Sequence, residues 1–192
     1  MKGRIRSMVN VGTDGWEALT LDDRTLALLT IHYPLTQIHQ GTYFKAFARK
    51  DVPNTESLIM ALYTPPQTEG LIHWRPLVST ELEATVQLWE NPDSVTGGTP
   101  FIPINANRIS AKVALSQVVI DPTVTIGGGL LLAETQLGSA KNFGGEYELA
   151  EKFILKPETW YVIIATDTTA GGTNDMTIRM NWHLNKPYYE PE

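Results

Sequence analysis

Residues 175–184 alternate without a break. Met176, Ile178, Met180, Trp182 and Leu184 fall on one side, and Thr177, Arg179, Asn181 and His183 on the other. A period of two is the signature of a strand with one face buried. Residues 83–90 repeat it, with Ala84, Val86 and Leu88 opposite Glu83, Thr85 and Gln87. No long stretch of the chain holds a helical period. Short runs rich in Val, Ile, Thr, Tyr and Trp are separated by Gly, Pro, Asn and Asp instead, which is the punctuation of an all-β chain.

Further strands are expected near 43–50, 57–64, 71–79, 101–107, 112–120, 130–137 and 151–156. Trp160–Ala165 is apolar on both faces and reads as a central, doubly covered strand. Pro65-Pro66, Asn91-Pro92-Asp93, Gly97-Gly98, Asp121-Pro122, Gly127–Gly129, Gly144-Gly145 and Gly171-Gly172 supply the turns. Eight to ten strands at this spacing predict an antiparallel, jelly-roll-like β-sandwich. Alternation on 175–184 and a short Gly-rich loop before it predict that Ile178, Met180 and Trp182 share a buried face with Val162 and Ile164 of a paired preceding strand.

Residues 1–36 differ. Alternation is missing until Leu28–Tyr33, a short strand-like run that Pro34 breaks, and Thr20–Arg24 is polar. This stretch reads as an extended N-terminal arm, leaving residues 37–192 as the sandwich domain. A chain of 192 residues suits one such domain.

Charge and composition narrow the function. Lys and Arg number 15 against 21 Asp and Glu, a net charge of −6. That balance argues against wrapping nucleic acid or coating an anionic membrane, both of which call for a basic face. Charged residues make up 19% of the chain, below the usual quarter or so, as when part of a surface is covered in an assembly. There is no cysteine, which excludes disulfides, thiolate catalysis and thiolate metal sites. The longest apolar stretch near the N-terminus, Leu26–Ile31, is too short for a membrane span. The basic N-terminus lacks the apolar core of a secretion signal, so the chain is expected to be made in the cytoplasm.

Residue patterns that would carry chemistry are few. Gly127–Gly129 leads into a strand-like Leu130-Leu131-Leu132 with no Lys, so it reads as a tight turn and not a phosphate loop. His32, His39, His73 and His183 lack the His-x-His spacing that preorganises a metal on one strand. Glu81 and Glu83 would share a strand face, and Glu146, Glu148 and Glu151 flank a Gly-rich loop. Both sets read as solvated carboxylates, not as a hydrolytic pair. No Gly-x-Ser-x-Gly elbow or Asp-rich calcium loop occurs. No cofactor is expected. Trp160 and Trp182 read as core, whereas Trp74 and Trp89 fall out of phase with the buried sets of their strands and are the candidates for an exposed sugar platform.

From Ile38 onward, a series of segments is similar to a family found in tailed-phage genomes. They include Ile38-His39-Gln40-Gly41 with Phe44, Leu62–Pro65, Ile72-His73-Trp74, Leu88–Asn91 and Thr96–Thr99. Asn105–Ser110, Asp121-Pro122-Thr123, Leu137-Gly138-Ser139, Phe153–Thr159 and Asn181-Trp182-His183 complete the set. In this order they resemble the head decoration, or cement, proteins. The chain departs from the usual pattern in its last segment, Leu184 to Glu192.

The resemblance implies a non-enzymatic virion protein. It would be a jelly roll that binds the major capsid protein on the outside of the head, as a homo-oligomer with a trimer favoured. The motif resemblance also implies that Asn105, Asn107 and Arg108 order a loop through backbone hydrogen bonds. Candidate capsid or inter-subunit contacts are Arg4, Arg6, Trp16, Leu19, Asp22, Asp23 and Arg24 on the arm, with His39 and Arg108 in the domain. The rival readings are a carbohydrate- or receptor-binding jelly roll of a head or tail fibre and a cupin-like enzyme. Exposed aromatics would mark the former, bound metal the latter.

Overall fold

The computed structural model describes the backbone of residues 7–10, 16–19, 33–138, 145–148 and 153–185, and the side chains of 35–68, 70–138 and 153–185. Backbone packing divides the chain into Met1–Thr36 and Gln37–Glu192. In the first unit, β1 (Ser7–Asn10) pairs antiparallel with β2 (Trp16–Leu19). A short helix α1 (Tyr33–His39) follows. Of the strand-like run Leu28–Tyr33 only Tyr33 is described, and it is helical; 28–32 lie outside the described residues. Pro34 falls in the first turn, where its missing N–H is not needed and its fixed φ suits a helix. Gly41, at φ +68°, ends the helix: its N–H donates to Ile38 O (2.9 Å) and that of Thr42 to Gln37 O (3.0 Å). Those two bonds make a Schellman cap.

The sandwich runs β3 (Tyr43–Pro53), β4 (Ser57–Tyr63), β5 (Leu71–Thr80), β6 (Ala84–Glu90), β7 (Ser94–Thr96), β8 (Thr99–Phe101), β9 (Ile104–Asn105), β10 (Gln117–Ile120) and β11 (Thr123–Thr125). It continues with β12 (Leu130–Leu137), β13 (Gly145–Glu148), β14 (Phe153–Leu155), β15 (Trp160–Asp167) and β16 (Thr173–Asn185). The long strands pair from the outside inward: β3 with β16, β4 with β15, β5 with β13 and β14, β6 with β12, all antiparallel. This is one long hairpin rolled upon itself, the connectivity of a jelly roll. One sheet has the order β13-β5-β16-β3-β9, with β14 also on β5, and the other β12-β6-β15-β4-β10-β8. The chain is an all-β antiparallel sandwich.

The residues between β6 and β12 form an insert. Its β10 and β8 extend one sheet beyond β4, and its β9 pairs with β3 of the other. Two edges that would expose unpaired N–H and C=O groups are thereby covered. The expected strands at 101–107 and 112–120 are correspondingly shorter, because most of 106–116 is loop.

The core lies between the sheets. Met176, Ile178, Met180 and Trp182 of β16 meet Leu58, Met60 and Leu62 of β4 and Tyr161, Ile163 and Ala165 of β15 in one buried cluster. Two expectations fail here. β15 and β16 are not paired but belong to opposite sheets, joined by the loop through Gly171-Gly172. Val162 and Ile164 point outward, and Tyr161, Ile163 and Ala165 point inward. A strand apolar on both faces has no readable phase, so alternation could not choose between them. Trp74 is also corrected: it is fully buried, opposite Trp182.

Candidate functional site

The loop 106–116 of the insert is built around one side chain. Asn105, buried in β9, donates from Nδ2 to Gly41 O (3.0 Å) and Lys112 O (2.9 Å), and its Oδ1 accepts from Asn107 N (2.8 Å). Asn107 continues the lock. Its Nδ2 donates to His39 O (3.2 Å) and its Oδ1 accepts from Ile109 N (3.2 Å). Lys112 Nζ donates to Gln40 O at 2.9 Å, and Ser110 Oγ accepts from Lys112 N at 3.2 Å. Ser110 lies so close to Gly41 that any Cβ there would collide with its hydroxyl. Asn side chains suit this role because each offers two donors and an acceptor in one plane.

The two asparagines therefore order the loop, as the motif resemblance implied. Arg108 contributes little to that order. It is exposed, and its Nη1 sits 3.5 Å from Asn105 O, at the limit of a hydrogen bond. A loop without regular secondary structure is thus held from Asn105 to Lys112. It holds out Ile109, 96% exposed, and Val113, 75% exposed.

His39 is the exposed last residue of α1, and its carbonyl receives the Asn107 bond. His39 and Arg108 therefore flank the same loop. Trp16 and Leu19 are the first and last residues of β2, opposite Asn10 and Ser7. Arg4, Arg6, Asp22, Asp23 and Arg24 lie outside the described residues. Glu83 accepts from Gln136 Nε2 (2.7 Å) on a solvated strand face. Trp74 belongs to the core, which removes one of the two aromatics that suggested a sugar platform; Trp89 is half-buried on the outward face of β6. Among the described residues no three His, Asp or Glu side chains converge on a point that would hold a metal.

Sequence reasoning missed a second constellation. On the outward face of β3, β16 and β5, the His73 and His183 rings stack at 4.8 Å, and Tyr43 lies 6.3 Å beyond His183. Next to them Lys45, Arg75 and Arg179 line a shallow groove with Phe47, Leu77 and Asn181. The strand alternation does place His183 with Arg179, and His73 with Arg75, on polar faces. Nothing local says that β5 and β16 are neighbours with His183 opposite His73. Burial raises the Tyr43 phenol above its ordinary value, and the Arg75 charge opposes the shift. Further along the face Arg49 grips Asp175 with two nitrogens, and that hydrogen bonding holds the Asp175 carboxyl below its usual range.

A polar triad closes one end of the core. Tyr161 OH donates to Glu90 Oε2 (2.8 Å) and accepts from Lys156 N (2.9 Å), while Lys156 Nζ reaches Glu90 Oε1 (2.6 Å). Burial, then the bond to Glu90, raises the Tyr161 phenol well above the ordinary range. Its position is structural, inside the sandwich. No protein-family model matches this chain, and no curated protein matches it significantly.

Proposed function

We propose that this protein is a structural, non-catalytic component of a tailed-phage virion, a decoration protein. In this reading it binds the major capsid protein on the outer surface of the head as a homo-oligomer and stabilises the shell. The observation that carries the reading is the clamped loop 106–116. Exposed aliphatic side chains scattered singly are ordinary on a protein surface. Here Ile109 and Val113 stand almost clear of the protein on a loop that Asn105 and Asn107 hold in place. A fixed loop loses little conformational freedom on docking, so the apolar area it buries goes largely into affinity.

Cement action follows from mass action. A protein that binds the assembled lattice and not free subunits shifts the equilibrium toward the lattice, and copies linked to one another add avidity. The test is co-sedimentation with capsids of the phage that encodes this chain. Ile109→Asp and Val113→Asp should weaken binding at least tenfold while leaving thermal stability unchanged, because neither side chain is buried. Undiminished binding by both variants, or no binding by the wild type, would refute the reading.

A further inference from the structure

An antiparallel sheet in a sandwich ordinarily buries one face and presents polar residues on the other. The sheet centred on β16 obeys, with Lys45, Arg49, Arg75, Thr177, Arg179 and Asn181 outward. The other sheet does not. Its register aligns Leu131, Trp89, Val162, Ala61, Val119 and Pro100 in one row, a residue from each of six strands. No polar side chain interrupts the row. Trp160 packs against Tyr63 (5.1 Å between rings) on one side of it, and Ile164 lies opposite Ile59 on the other. Ala61 and Val162 have no exposed surface, their aromatic and aliphatic neighbours are half-buried, and Leu131 is 40% exposed. Gln117, Gln87, Gln136, Thr85, Thr166 and Ser57 form a polar margin, in which Glu134 is the one formal charge on an outward strand position of this sheet. An apolar centre with a polar rim is the anatomy of a protein interface.

We infer that this face pairs with the same face of a second copy of the chain. Charge selects that occupant. At a net charge of −6 two copies repel one another, so a stable contact between them forms where the surface is least charged. A two-fold axis through this row lays an uncharged patch on itself and leaves Glu134 at the margin. Size agrees: six strands about 4.8 Å apart span roughly 24 Å. Its seven-residue strands run about the same length, so the footprint with its rim is roughly 580 Å² in projection, at the small end of specific interfaces. Trp89, Trp160 and Tyr63 are the side-chain types that anchor such contacts. The inference is independent of what the clamped loop binds. It also differs from the trimer that the sequence resemblance implies, since a face paired with itself produces dimers.

Sedimentation velocity and light scattering on the full chain test it. The wild type should be a dimer at micromolar concentration. Leu131→Asp, at an exposed position that can accept a charge without unfolding, should raise the dimer dissociation constant at least tenfold. Trp89→Ser should do the same, with circular dichroism and melting temperature monitoring the fold of both variants. A monomeric or trimeric wild type would overturn the inference, as would a dimer insensitive to Leu131→Asp in a folded variant. Dissociation by Leu26→Asp but by neither face variant would assign the contact to the N-terminal segment and equally overturn it.

Discussion

Replacing Asn105 with Ala removes the three hydrogen bonds that hold the projecting loop: two to the carbonyls of Gly41 and Lys112 and one from the amide of Asn107. Each bond contributes about 1 kcal/mol net. Lys112 is exposed and its carbonyl regains water, so that loss is small. Gly41 is buried and Asn107 half-buried, and their groups stay unsatisfied. The expected destabilisation is therefore about 2 kcal/mol, seen as a fall of roughly 1 M in urea midpoint at a typical slope for a domain of this size. Amide hydrogen exchange at Asn107 and Ile109 should accelerate with it. Asn105→Asp sharpens the test, because it keeps the shape and the acceptor but aims a carboxylate oxygen at two carbonyl oxygens. At neutral pH it should be at least as damaging as Ala. That environment raises the folded-state pKa of the new Asp above its unfolded value of about 3.9, so the damage should shrink as pH falls and the acid regains a proton to donate. A midpoint shift below about 0.3 M for Asn105→Ala, with unchanged exchange at Asn107, would show that the network does not hold the loop.

Gly41→Ala forces a side chain onto a φ of +68° and into the Ser110 hydroxyl, and should cost about 2 kcal/mol in denaturant unfolding; adding Ser110→Gly should recover the steric part but not the backbone strain. Trp182→Ala should cost roughly 3–5 kcal/mol in the same assay, since the indole is fully buried between the sheets; near-wild-type stability would place it outside the core. The raised phenol of Tyr161 predicts that stability is fully present below the ordinary tyrosine pKa of about 10 and declines as pH rises above it. Alkaline melts of Tyr161→Phe should show a shallower decline, together with a loss of about 1–2 kcal/mol at neutral pH from the missing bond to Glu90.

The amino-acid sequence by itself determined that this protein is a sandwich of short antiparallel strands. Period-two alternation located β6 and β16 to within a residue or two, strand-rich runs between turns located β5 and β12, and Gly and Pro pairs marked most of the turns. The resemblance of Asn105–Ser110 to a known motif, and not the strand pattern, pointed to Asn105 and Asn107 as loop-ordering side chains. Tertiary structure alone decided which strands are neighbours. His73 and His183 lie far apart in the chain and stack because β5 and β16 pair, a long-range choice that no local window contains. The phase of β15 was equally unreadable: with apolar residues on both faces, only the opposing sheet determines that Ile163 is core and Val162 faces out. Chain propensity gave no warning that the loop would run on from Arg108 to residue 116, since Ile109, Val113 and Leu115 look like strand residues. They stand in solvent because one buried asparagine commits the backbone hydrogen bonds around it to a turn and not to a ladder.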